Sequence, residues 1–72
     1  MPKIISEKFN ENDDHILTTE YEVDFSDIDR EMSDFNLSNI EYGIVGGVKT
    51  IVGGTVYNHD GGRHEVRLEV GA

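Results

Sequence analysis

From Leu17 to Phe25 the chain alternates strictly. Leu17, Thr19, Tyr21, Val23 and Phe25 occupy one set of positions, and Thr18, Glu20, Glu22 and Asp24 the other. A period of two, with β-branched and aromatic side chains on one side and carboxylates on the other, predicts a strand with one solvated face. Before it, Lys3–Phe9 reads as a shorter strand closed by the polar turn cluster Asn10–Asp14. The two predict an antiparallel hairpin.

The period changes at Ser26. Ile28, Met32 and Phe35 fall at i, i+4 and i+7, the single stripe of a short helix. Ser26 suits the N-cap, and Asp27 and Asp29 suit the first turn, where the helix dipole favours negative charge. Arg30 and Asp34 are spaced to pair along the helix surface. The polar break beginning at Asn36 should end the helix.

From Ile40 the pattern is again that of strands. Val66, Leu68 and Val70 alternate with Glu65, Arg67 and Glu69, and the strand before them runs into His59-Asp60-Gly61-Gly62-Arg63. A three-residue loop with a bulge at Asp60-Gly61-Gly62 sets Val56 opposite Val66, Gly54 opposite Leu68 and Val52 opposite Val70, all on one face. Further back, Ile44-Val-Gly-Gly-Val-Lys-Thr50 is echoed at once by Ile51-Val-Gly-Gly-Thr-Val-Tyr57. Seven residues are too few for a repeat architecture. The echo predicts strands bent or closely approached at glycine pairs, with Gly46-Gly47 as a turn setting Val45 beside Val48. Gly53 and Gly54 are candidates for a close backbone approach at a partner or dimer interface along a glycine-rich β edge.

These readings add up to one small α+β domain over residues 1–72, in the order β-β-α-β-β-β, with a twisted antiparallel sheet packed on one short helix. Its expected core draws on Phe9, Leu17, Tyr21, Val23, Phe25, Ile28, Met32, Phe35, Ile44, Val52, Val56, Val66, Leu68 and Val70. A domain of 72 residues buries about 60% of its unfolded surface, and such a core rarely supplies more than roughly 3–5 kcal/mol. Small domains often add disulfides, a metal or a partner subunit. With no cysteine in the chain, disulfides and thiolate zinc sites are excluded. A homodimer would enlarge the core and cover sheet edges guarded by only six basic residues.

Charge changes the picture most. Fifteen acids against six bases give −9, and the excess is uneven. Residues 1–36 hold eleven acids and three bases, a net of −8; residues 37–72 hold four acids and three bases, a net of −1. Direct binding of nucleic acid or an anionic membrane is disfavoured, because affinity for phosphates comes largely from Lys and Arg. No apolar run approaches the roughly 20 residues that span a bilayer, and no signal-peptide pattern follows Met1. A cytoplasmic location is expected.

Catalytic motifs are missing. Gly43–Thr50 imitates the P-loop pattern G-x-x-x-x-G-K-[ST], but Val48 stands where glycine precedes the lysine, and the residues after Thr50 are β-branched and glycine-rich instead of helix-forming. His59, Asp60 and His64 flank the last turn and are metal-type ligands, yet turn-flanking histidines are common and no outer partner is evident. No metal or cofactor is expected. Asp27, Asp29 and Glu31 have EF-hand spacing, but Met32 and Ser38 occupy the positions that need glycine and a bidentate glutamate. Neither G-x-S-x-G nor H-E-x-x-H occurs, and the chain is not expected to be an enzyme.

Seven acids remain as the candidate binding surface: Glu20, Glu22, Asp24, Asp27, Asp29, Glu31 and Asp34. On the strand they recur every second residue, about 6.7 Å apart, and the helix is expected to continue the negative surface. Regularly spaced carboxylates can imitate a phosphate backbone and occupy a Lys/Arg-lined channel. In size, acidity and lack of catalytic apparatus the chain resembles, in general character and through no motif, the small inhibitors phages make against CRISPR and restriction systems. That resemblance implies a non-enzymatic inhibitor that binds a basic nuclease or other nucleic-acid-processing enzyme. The alternative is a small structural or assembly subunit that oligomerises through its glycine-rich β edge.

Overall fold

A computed structural model describes residues 1–71. Five strands and one short helix follow in the order β1 (Lys3–Phe9), β2 (His15–Glu22), a 3-10 turn (Phe25–Asp27), α1 (Ile28–Ser33), β3 (Ser38–Val45), β4 (Val48–Tyr57) and β5 (Arg63–Glu69). All strand pairs are antiparallel, in the spatial order β2-β1-β5-β4-β3. This is the β-β-α-β-β-β arrangement that the hydrophobic pattern predicts. Two local hairpins, β1-β2 and β3-β4, are joined by β5, which inserts between β1 and β4.

The pleat sends Ile4, Ser6 and Lys8 of β1 to the side of their partners Tyr21, Thr19 and Leu17 on β2 and Leu68, Val66 and His64 on β5. This is the face that α1 covers. Ile28 and Met32, one helical turn apart, sink into a cluster with Ile4, Val23 and Val66, and Phe35, Leu37, Val45, Ile51, Val56 and Leu68 pack around it. Ile4 and Met32 are completely sequestered from solvent. Ile5 points to the other face and is also buried.

Several expectations are corrected. Ile4 and Ile5 belong to the buried set, although two adjacent isoleucines show no alternation. Leu17, Phe25, Ile44 and Val70 are exposed, and Tyr21 is half-exposed. For Leu17 and Tyr21 the reason is the size of the cover: six helical residues span about 9 Å, whereas five strands span about 19 Å, so the β2 margin lies beyond the helix. Ile44 alternates with Val45, which packs on the helix cluster, and therefore projects to the other face. β2 ends at Glu22; Val23 still turns inward, its N–H donating to the Pro2 carbonyl at 3.0 Å, but Phe25 lies in the 3-10 turn. Ser26 is within that turn and is not the helix cap; Asp27 takes the cap position without a side-chain hydrogen bond. Arg30 reaches Asp27 at 3.5 Å and Glu31 at 3.6 Å, not Asp34. The helix does give way where the polar break predicts, with Asn36 at φ 56°. Phe9 stands apart from the cluster, capped by the Arg63 guanidinium 4.5 Å from its ring centre.

Both glycine pairs of the echo serve the fold. Gly46 and Gly47 have φ of 58° and 79° and form a tight two-residue turn, with Val45 opposite Val48 as expected. A strand, not a helix, follows, so no phosphate cradle exists there. Gly53 and Gly54 lie on β4, an interior strand, which corrects their placement at a sheet edge. The backbone that approaches Gly54 is the chain's own: a Cβ there would meet Leu37 Cβ at 3.0 Å and the Ser38 carbonyl at 3.1 Å.

The last turn is of the expected kind but one residue earlier. Asn58 N–H bonds the Gly62 carbonyl at 2.9 Å, and His59-Asp60-Gly61 forms the loop, with Gly61 at φ 90°. Val56 therefore faces His64, and Gly54 faces Val66, a two-residue shift from the apolar pairing. A shift of two keeps every side chain on its expected face, so the burial pattern tolerates it. Turn chemistry decides the register: Asp60 Oδ1 accepts the Gly62 N–H at 2.9 Å, and Gly61 takes the left-handed position.

Two stability outcomes follow. Met32→Ala should cost about 2–5 kcal/mol, enough to unfold much of the population of so small a domain, read as a fall in the urea midpoint. Gly54→Ala should cost about 1–3 kcal/mol by the same measurement, since its new methyl meets backbone that cannot swing aside; an unchanged midpoint would contradict the close approach.

Candidate binding site

Of the six basic side chains, four are held by carboxylates. Lys3 lies 3.6 Å from Glu20, Arg67 bonds Glu7, Arg63 bonds Asp13 and, at 2.9 Å, Glu65, and Arg30 reaches Asp27 and Glu31. Lys49 lies over the Tyr42 ring, 4.9 Å from its centre. On the helix-free face, Lys3 and Arg67 sit beside Ile5, among Glu7, Glu20 and Glu65. The middle of that face is thus close to charge balance. The unbalanced acids lie elsewhere.

The structure places the seven acids around the edge strand β2 and the segment that follows it, in place of one continuous plane. Glu20 and Glu22 project from the helix-free face of β2. Tyr21, between them in sequence, projects to the opposite face, where Glu31 and Asp34 lie near its hydroxyl. Carboxylates therefore flank the β2 edge on both sides and form a rim. Asp24 leads into the 3-10 turn with its side chain capping nothing, and Asp27 is tied to Arg30. Among the described residues Glu22, Asp24 and Asp34 have no ion-pair partner.

Asp29 is different. Its Oδ1 accepts the Ile51 N–H at 3.2 Å, which ties the helix to β4. That bond is part of the scaffold, and nothing in the spacing of Asp27, Asp29 and Glu31 distinguishes it. The sequence pattern also misses Tyr21 as the centre of the rim, because its place in an alternating strand marks it only as apolar surface. Glu69 is another omission; it stands opposite Lys3 in the strand register, as Glu22 does from the other side, and among the described residues neither is ion-paired to it.

Beside the rim, the margin of sheet that α1 leaves uncovered forms an open groove of about 390 Å³, floored by Leu17, Thr19, Ser6, His64 and Val56 and walled by Phe35 and Asp34. His64 turns Nδ1 toward Ser6 Oγ at 3.4 Å, while Asp60 is engaged in its own turn. Among the described residues no three His, Asp or Glu side chains gather as a metal would need, and His59, Asp60 and His64 are not brought together. Gly53 is buried inside the sheet, its Cβ position 3.1 Å from the Val66 carbonyl.

No protein-family model, curated protein or solved structure matches the chain. No helix is long and apolar enough to cross a membrane among the described residues.

The Tyr21 phenol has its pKa raised above the usual 10.0, first by burial, then by the charge of Glu31 and a hydrogen bond to it, and then by Asp34. The neutral phenol is thus favoured by folding, so this group's contribution is intact below pH 10 and weakens as pH rises past the unfolded value. Glu31→Gln should bring the Tyr21 absorbance titration down toward the ordinary range. A titration that does not move would place Glu31 away from the phenol.

Proposed function

We propose that this chain is a non-enzymatic acidic binding protein that occupies a basic surface of a nucleic-acid-processing enzyme or complex with its β2 rim. The rim stands in for a phosphate backbone, in the manner of small phage-type inhibitors of CRISPR or restriction systems. One observation carries the reading. The protein's own bases neutralise Glu7 and Glu65 in the middle of the sheet and Glu20 on β2, whereas Glu22, Asp24 and Asp34 flank the β2 edge without ion-pair partners among the described residues.

A carboxylate already paired within its own chain must lose that partner before binding another. Unpaired carboxylates on an exposed edge face no such competition, and their summed field speeds encounter with a basic surface. Because they project to both sides of β2, the shape they fit is a cleft lined with Lys and Arg on two walls. Asp29, bonded to β4, is left out of this surface.

The test is a tagged pull-down from bacterial lysate at about 50 mM and about 500 mM salt, followed by affinity measurement on the captured protein. A basic nuclease or polymerase held at low salt and released at high salt is expected. The triple reversal Glu22→Lys, Asp24→Lys, Asp34→Lys should weaken it by at least the order of tenfold. If the reversed chain binds its partner unchanged, the rim is a solvated surface and the proposal fails.

A further inference from the structure

Sheet edges end in backbone hydrogen-bonding groups with no strand beside them, and such edges recruit other strands unless guarded. The order β2-β1-β5-β4-β3 leaves two. They are built differently. β2 is bordered by carboxylates on both faces, which sets like charges against like if two such edges meet. β3 has a single side chain charged at neutral pH, Glu41, and it sits in the irregular half of the strand, where the register shifts on either side of it. From Tyr42 to Val45 the strand runs in unbroken register against Ile51 to Val48. No Lys, Pro or acid guards these four residues, and Tyr42 and Ile44 are 57% and 72% exposed.

We propose that the Tyr42–Val45 edge pairs with the same edge of a second copy of the chain, antiparallel about a two-fold axis at Gly43, joining two five-stranded sheets into one of ten. Antiparallel pairing of one edge with itself is self-complementary and closes after two copies. A two-fold axis perpendicular to the sheet keeps each side chain on its own face, so opposing residues must be an even number apart. Centred on Gly43, that rule sets Tyr42 of each copy opposite Ile44 of the other. Two aromatic–aliphatic cross-strand pairs then cover the most exposed apolar side chains of the margin.

Charge distribution favours a second copy as the occupant. Residues 1–36 carry −8 and residues 37–72 only −1. At the β3 margin Glu41 is offset by Lys49, which lies over the Tyr42 ring. Joining two copies here puts their β2 strands nine interstrand steps apart, about 43 Å. That is several times the screening length of about 8 Å at physiological salt. The edge where copies can meet is therefore the one farthest from the β2 carboxylates, and the acids of α1, which packs on β4, lie on the face that Val45 turns to, opposite Tyr42 and Ile44. The inference does not rest on the acidic-rim reading, and the two respond oppositely to salt: rim binding weakens, while self-pairing tightens as residual repulsion is screened.

The test is sedimentation equilibrium of the full chain from micromolar to millimolar concentration, at about 50 mM and about 500 mM salt. The expected limit is twice the 8.1 kDa chain mass, reached at lower concentration in high salt. Ile44→Lys changes an exposed side chain and should leave the monomer folded by circular dichroism while weakening association at least tenfold. The chain has no cysteine, so mixing Tyr42→Cys with Ile44→Cys chains under mild oxidation reads the register. The mixture should cross-link well beyond either variant alone. A chain that stays monomeric throughout, a dimer indifferent to Ile44→Lys, or a variant that cross-links with itself as readily as in the mixture would each overturn the proposal.

Discussion

The structure depends on a mismatch of dimensions: a helix of one and a half turns must close the core of a five-stranded sheet. Ile28 and Met32 supply nearly all that the helix contributes to the interior, and they meet Ile4, Val23 and Val66 near the middle of the sheet. The Asp29 bond to Ile51 N–H and the close passage of Leu37–Ser38 over Gly54 hold this small cover in place. Everything outside its footprint remains partly open. The groove beside β2 is one result of this shortage of helical surface, whereas Tyr42 and Ile44 on β3 are bare because they face away from the helix.

Electrostatics divides the molecule along the same axis. Lys3, Arg63 and Arg67 lie on β1 and β5, the central strands, and neutralise the sheet where it is widest. Glu20 and Glu22 charge the β2 end, and the acids of the following segment run from there across the helix-covered face to β4, where Asp29 is bonded. The opposite end is nearly neutral and apolar. A small chain with so few bases thus has one margin suited to a charged surface and another suited to a strand.

Period and turn chemistry made much of this fold legible: the strand at Lys3–Phe9, the stripe Ile28-Met32-Phe35, the glycine turn at Gly46-Gly47 and the element order all follow from them. Alternation also assigned Val56, Val66 and Leu68 to the correct face even though their pairing was displaced by two residues. What alternation cannot convey is how far the covering layer reaches. Leu17 has the same local pattern as a buried residue, and only the reach of α1 leaves it outside; Phe25 leaves the strand for the 3-10 turn, and Ile44 turns away from the face on which its neighbour Val45 packs. The acidic residues were legible as a set, but their division between two faces of β2 depends on Tyr21 pointing toward the helix. Asp29 was illegible as a structural acid because its partner is a backbone amide 22 residues away.

The central place of β5 has a consequence for how the chain acquires its structure. β1 and β2 are neighbours in sequence, as are β3 and β4, so each hairpin closes a short loop. The seam between the two halves is β5, and its contact with β1 joins residues as distant as Ser6 and His64, 58 positions apart. Closing that long loop carries the larger entropic cost, so the seam governs the pace of folding. Until Arg63–Glu69 has been synthesised and inserted, the inner edges of β1 and β4 are as open as β3 is in the finished sheet. A growing chain therefore passes through a stage with four open edges, of which only β2 is guarded by charge, and the last strand removes two of them at once.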